Sequence, residues 1–198
     1  MSHDILGTLR RSGDRSSVSF DRVYQTTADD LWEAVTDPDR LERWMARVTG
    51  DLREGGTFTI QFDDNDTAQC RIESCSPRER FVWIWPHESS ESQVEVEVVP
   101  DGDAARLRLV HSRLTQTQAP EYAAGWDVYL RRLTDDLAGT PSGDWWEAWE
   151  TLAQQYRALP DPRCPDPAQA ARQPSRARSH SRADGRIFAC PFKLLADC

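Results

Sequence analysis

The chain of 198 residues predicts one α+β domain over residues 16–138, a curved antiparallel sheet wrapped around a long C-terminal helix. Two observations carry that expectation. Between residues 51 and 111 apolar side chains recur at every second position, the period of half-buried strands. From Tyr122 to Leu137 they recur at steps of four, three, four and four, a helical stripe about four turns long. A first strand, two short helices, about six hairpin-linked strands and a long helix make up the order of an α+β grip.

Residues 1–15 are polar and are expected to be flexible. Val18 and Phe20 alternate with polar neighbours in a first strand near residues 17–24, with Arg22 as a third member of that face. Thr27 is placed to cap a helix whose first turn holds Asp29 and Asp30, which suits the positive end of the dipole. Leu31, Trp32 and Val35 form its apolar face, and Thr36-Asp37-Pro38 breaks it, because proline pushes the preceding residue out of the helical region. A second short helix over residues 39–45 puts Leu41, Trp44 and Met45 on one side.

Phe58, Ile60 and Phe62 then alternate with polar residues, and the turn at Asp63-Asp64-Asn65-Asp66 leads to Ala68, Cys70 and Ile72. Phe81-Val82-Trp83-Ile84-Trp85 is apolar on both sides and reads as a central strand covered on both faces. Val94, Val96 and Val98 follow, then the Pro100-Asp101-Gly102-Asp103 turn, then Leu107, Leu109 and His111 on one face. Pro120 opens the long helix at a first-turn position and Gly139 closes it. Residues 139–159 hold a further amphipathic helix with Trp145, Trp149, Leu152 and Tyr156 on its apolar side. It either covers an open part of the domain or offers its tryptophans to a partner. Residues 160–198 contain six of the twelve prolines among Ser, Arg and Ala and are expected to be disordered.

Charge and cysteines narrow the function classes. Residues 160–198 carry a surplus of three positive charges, which leaves −12 of the net −9 on the first 159 residues. An acidic body argues against a nucleic-acid partner, since a phosphate backbone is bound by clustered Lys and Arg. No apolar run approaches the ~20 residues of a membrane span, and the N-terminus has no apolar signal core. A cytoplasmic location is expected, with reduced thiols. Cys70 and Cys75 stand near opposite ends of one predicted strand, too far apart to bridge, and Cys164, Cys190 and Cys198 lack metal-ligand spacing.

Several segments in order carry a family resemblance. They are residues 28–38, Leu41-Glu42-Arg43-Trp44, Gly55-Gly56-Thr57-Phe58, Phe81-Val82-Trp83-Ile84-Trp85, His111-Ser112-Arg113-Leu114 and Gly125-Trp126-Asp127-Val128-Tyr129-Leu130. Together, over about residues 18–138, they resemble the START-like (SRPBCC) superfamily, in the branch related to the activator of heat-shock-protein-90 ATPase. The resemblance implies a helix-grip fold with a cavity between sheet and long helix. Its members include cochaperone domains, lipid or hormone carriers, and polyketide cyclases or hydrolases, so fold alone does not choose among activities.

On the alternation above, Phe58, Ile60, Ile72, Trp83, Trp85, Val96, Leu107, Leu109 and His111 face Tyr122, Trp126 and Tyr129, with Trp44 and Met45 near the mouth. Aromatic walls around a few polar groups describe a small-molecule pocket, and they equally describe plain core. His111 ends the inward row. It is either a satisfied core histidine, with Tyr122, Tyr129 or a ligand oxygen as partner, or a general base titrating near neutrality. There is no G-x-S-x-G elbow, no H-E-x-x-H and no paired carboxylates at catalytic spacing. Asp63, Asp64 and Asp66 lack the Gly and Glu of a calcium loop. No catalytic residue, metal ligand or cofactor is therefore assigned. The expectation is a non-catalytic domain that binds an apolar or aromatic small molecule. The alternatives are a chaperone-linked interaction domain, without a recognisable extra N-terminal domain, and a cyclase-like enzyme using His111 with Tyr122 or Tyr129.

Overall fold

A computed structural model describes residues 6–87 and 90–159. Eight strands form one antiparallel sheet: β1 (Thr8–Ser12), β2 (Arg15–Tyr24), β3 (Arg47–Gly50), β4 (Thr57–Gln61), β5 (Thr67–Ser76), β6 (Arg80–Pro86), β7 (Glu91–Asp101) and β8 (Ala104–Thr115). Four helices complete it: α1 (Ala28–Thr36), α2 (Pro38–Trp44), α3 (Gln118–Ala138) and α4 (Trp145–Ala158). The spatial order is β1-β2-β8-β7-β6-β5-β4-β3. From β3 to β8 each strand pairs with its successor, so local hairpins build most of the sheet. Among the described strands, only the β2–β8 pairing joins distant parts of the chain, and α1 and α2 bridge the open side between β2 and β3. Irregular register between Ile72 and Ser74 and between Ser16 and Val18 bends the long strands into a grip.

The caps form as the residue types dictate. Thr27 Oγ1 accepts from the Asp30 amide, and Asp37 both ends α1 and caps α2 through the Arg40 amide. Gly139 takes a left-handed conformation (φ 65°) and donates to the last carbonyls of α3. Two strands lie beyond the sequence reading. Residues 1–15 were expected outside the fold, yet Thr8–Ser12 pairs with β2 as an edge strand, and Arg47–Gly50 forms the opposite edge. Both are short, which hides a two-residue period.

β6 is buried over four consecutive residues, but among the described residues no second layer covers its outer side. Trp83 and Trp85 join the main core, whereas Val82 and Ile84 stand apart from it. They are shielded by cross-strand neighbours, Glu95 and Ser74 beside Val82, Gln93 and Arg71 beside Ile84. Long polar side chains can bury apolar surface under their stems.

One buried acid links α3 and α4 to the N-terminal strands. Asp127, 1% exposed, accepts from Tyr156 of α4 (2.7 Å) and from Arg131 (3.1 Å), with Arg22 of β2 at 3.7 Å. The Tyr156 hydroxyl also accepts from the Gly7 amide, so β1, β2, α3 and α4 meet at one point. α4 packs its Trp149, Leu152 and Tyr156 against α3 and leaves Trp146 exposed. Its apolar face thus covers part of α3. Residues 160–198 lie outside the described residues.

Candidate functional site

A cavity of about 250 Å³ lies between the sheet and the helices. Its buried floor is made by Phe58, Ile60, Ile72, Trp83, Val96, Leu107 and Leu109 of the sheet and by Trp126 and Leu130 of α3. Val35, Leu41, Trp44 and Val48 close one end. The lining side chains that remain half-buried or exposed (Trp32, Thr36, Met45, Leu52, Cys75, Pro77 and Phe81) mark the mouth, between α1–α2 and the β3–β4 and β5–β6 turns. Trp32 meets Phe81 edge-on at 5.6 Å, and Phe81 stacks on Trp83 at 5.3 Å.

Polar groups on this wall are few. None of its described lining side chains is Asp, Glu, His, Lys or Arg. Trp44 Nε1 donates to the Ala34 carbonyl (2.9 Å) and Thr36 Oγ1 to the Trp32 carbonyl (2.7 Å). Burial and the nearby Glu54 carboxylate both raise the Cys75 thiol's pKa, which keeps it protonated. Such a wall can hold an apolar molecule by area and shape, with no charge to offer it. Among the described residues no cluster of His, Cys, Asp and Glu could hold a metal ion, and no helix is long and apolar enough to cross a membrane.

Beside the cavity, buried aromatic rings gather around His111. Its ring is fully buried; Trp126 Nε1 donates to Nδ1 (3.0 Å) and Nε2 lies 2.8 Å from Ser92 Oγ. An indole nitrogen only donates, so Nδ1 must carry the lone pair and Nε2 the proton. Ser92 Oγ accepts that proton, lies 2.9 Å from His87 Nε2 and donates to the Trp85 carbonyl (3.3 Å). The Tyr122 hydroxyl makes a long contact, 3.5 Å, with His87 Nδ1. Burial, then the neighbouring His87, hold the His111 pKa well below the ordinary value of 6.5, and burial lowers that of His87. His111 is thus a satisfied core histidine, and its partners are Trp126 and Ser92 rather than Tyr122 or Tyr129. Titration near neutrality does not hold for it.

Residues 25–138 match the family model described as Activator of Hsp90 ATPase homolog 1-like protein, more than half of the chain. The chain belongs to this family. Its helix-grip architecture is that of the START-like (SRPBCC) proteins. The crystal structure of CalU16 from Micromonospora echinospora superposes with a TM-score of 0.67 at 30% identity, covering 77% of this chain and 96% of CalU16. The solution structure of CalU16 gives 0.65 at 26% identity, covering 80% and 97%. DynU16, a protein in the dynemicin biosynthetic locus, gives 0.61 at 25% identity over 67% of this chain and 51% of DynU16. No match was found among curated proteins.

Against this cavity the sequence-derived pocket divides in two. Trp44, Met45, Phe58, Ile60, Ile72, Trp83, Val96, Leu109 and Trp126 line it. Trp85, His111, Tyr122 and Tyr129 do not: they pack with Phe62 into an aromatic cluster at the other end. Alternation tells which face a side chain takes, but not how far along the groove the helix closes down. Trp32, Cys75 and Phe81 at the mouth were not read as pocket residues, although Trp32 and Phe81 carried an aromatic signal. Ser92 was also missed. Extending the Val94, Val96, Val98 period one step back reaches it, a lone hydroxyl at an inward position.

Proposed function

We propose that this START-like domain is a non-catalytic binding protein that takes an apolar or aromatic small molecule into the cavity between the sheet and α3. The observation that carries the reading is the cavity itself, about 250 Å³ with an apolar wall and no charged lining side chain among the described residues. An engineered cavity of about 150 Å³ already admits benzene. The fixed tautomer of His111 counts against the cyclase-like alternative, because a general base needs an available lone pair and the one on Nδ1 is already taken by Trp126. The place of DynU16 in the dynemicin biosynthetic locus favours a small-molecule role. A cytoplasmic location belongs to the same reading, supported by the free thiols of Cys70 and Cys75. Native mass spectrometry of freshly purified protein, with a thermal-shift screen of compact hydrophobic compounds, tests it. Binding that disappears when Val96→Phe fills the cavity supports the reading, and absence of any ligand or shift rejects it.

The family's description favours a second reading, a chaperone-linked interaction domain. Stimulation of Hsp90 ATPase at saturating protein supports it, and an unchanged ATPase rate counts against it.

A further inference from the structure

The cavity ends at a definite rung of the sheet. Phe81, Val96 and Leu109 are paired across β6, β7 and β8, and all three line it. On the next inward rung, Trp83, Val94 and His111, Trp83 lines the cavity while Val94 and His111 do not. Trp85 and Ser92, paired one step further along, lie outside it as well.

Trp126 stands at that boundary. It springs from α3, and its Nε1–H reaches Nδ1 of His111 on β8 at 3.0 Å, so the indole spans the gap between helix and sheet. The ring meets Trp83, a lining residue, edge-on at 6.2 Å. It also meets Trp85, His111 and Tyr129, none of them lining residues, at 6.3, 6.2 and 6.3 Å. Ser92 Oγ holds the other imidazole nitrogen at 2.8 Å, which fixes the ring that fixes the indole. A side chain locked by packing and by a bonded neighbour keeps its geometry before anything binds. The volume left on the near side exceeds what a single benzene ring needs and suits about two fused rings. With no charged side chain on the described lining, an ionised ligand would be buried without a counter-charge.

We infer that Trp126 is the end wall of the cavity and the residue that sets the length of ligand accepted, a neutral aromatic of about two fused rings, with His111 as the positioning residue that holds the indole across the gap. This rests on the ligand-binding reading above and specifies its ligand class.

Quinoline and acridine test it. Both are flat, carry one ring nitrogen and are neutral in mildly alkaline buffer, and acridine is longer by one fused ring. Burial of apolar area alone favours the larger molecule, so a preference for quinoline reports a wall. Calorimetric titration of the wild-type protein is expected to show quinoline bound about tenfold more tightly than acridine. Trp126→Leu should reverse that order. His111→Phe, which keeps a ring but removes the acceptor, should cut the preference to about twofold or less. Both affinities are measured on the same variant, so a general loss of stability does not move their ratio. In the wild-type protein, NOEs from bound quinoline should reach the Trp126 ring and not Trp85 or Tyr129, a readout that stands even if a variant folds poorly. Acridine bound as tightly as quinoline by the wild type, NOEs to Trp85 or Tyr129, or a quinoline preference kept by Trp126→Leu overturns the wall and leaves the cavity reading intact. A preference lost in Trp126→Leu but kept in His111→Phe overturns the role of His111. Binding of neither probe overturns the wall and the ligand-binding reading together.

Discussion

Trp126 Nε1 donates to His111 Nδ1 at 3.0 Å, and this one bond sets the protonation of a buried histidine. Adding a proton to Nδ1 would oppose two N–H groups in a site where burial already disfavours charge. Imidazole nitrogen shifts should therefore report a neutral ring, with Nε2 protonated and Nδ1 bare, to well below pH 6.5. In the folded state the His111 and His87 pKa values both lie below the ordinary 6.5. Their stabilising contribution is full above that value and is lost as pH falls through the folded pKa. Trp126→Phe should raise the His111 pKa and lose about 1–3 kcal/mol of stability. A protonated Nδ1 in the wild-type spectrum would refute the assignment.

Asp66 is expected to pull stability the other way. Burial, then the neighbouring Asp63, push its carboxyl up to about 6 from 3.8. A raised carboxyl pKa favours the fold below about 3.8 and costs stability as pH rises through 6. Asp66→Asn should therefore raise stability by roughly 1–3 kcal/mol at pH 7.5 and by little at pH 4. Denaturant melts of both proteins at the two pH values check this, and an equal effect at both would reject the cause.

Tyr156 joins α4 to Asp127 and to Gly7. Tyr156→Phe keeps the ring but leaves a buried carboxylate oxygen and a backbone amide each short of a partner. A loss of about 1–3 kcal/mol in equilibrium unfolding is expected. If α4 were merely appended, the variant would unfold like the wild type.

Val96 and Val94 are neighbours on the inward face of β7, one on the cavity and one in solid core. An added methylene should be accommodated at Val96→Ile, with a gain of about 0.5–2 kcal/mol. At Val94→Ile, overpacking should cost about 1–3 kcal/mol. Thermal melts of the two variants compare them directly, and equal losses would mean that no void exists beside Val96.

Local order in the chain was enough for the helices, the hairpins and the inward face of each long strand. Thr27, Asp37 and Gly139 act on groups within four residues of themselves, and the period-2 rows of β4 to β8 are set by the pleat. Those are short-range properties, and residue order states them outright. The edge strand Thr8–Ser12 exists because β2 is there to pair with, and its exposed, charged sequence carries no period of its own. The division of the aromatic row was also decided in three dimensions. Trp83 and Trp126 reach a void, whereas Trp85, Tyr122 and Tyr129 meet other aromatic rings, a difference set by which side chains the sheet and α3 bring together. His111 was visible as the odd polar residue in its row. That its two ring nitrogens are answered by Ser92 and Trp126 follows from pairing between strands and helix, which no local pattern encodes.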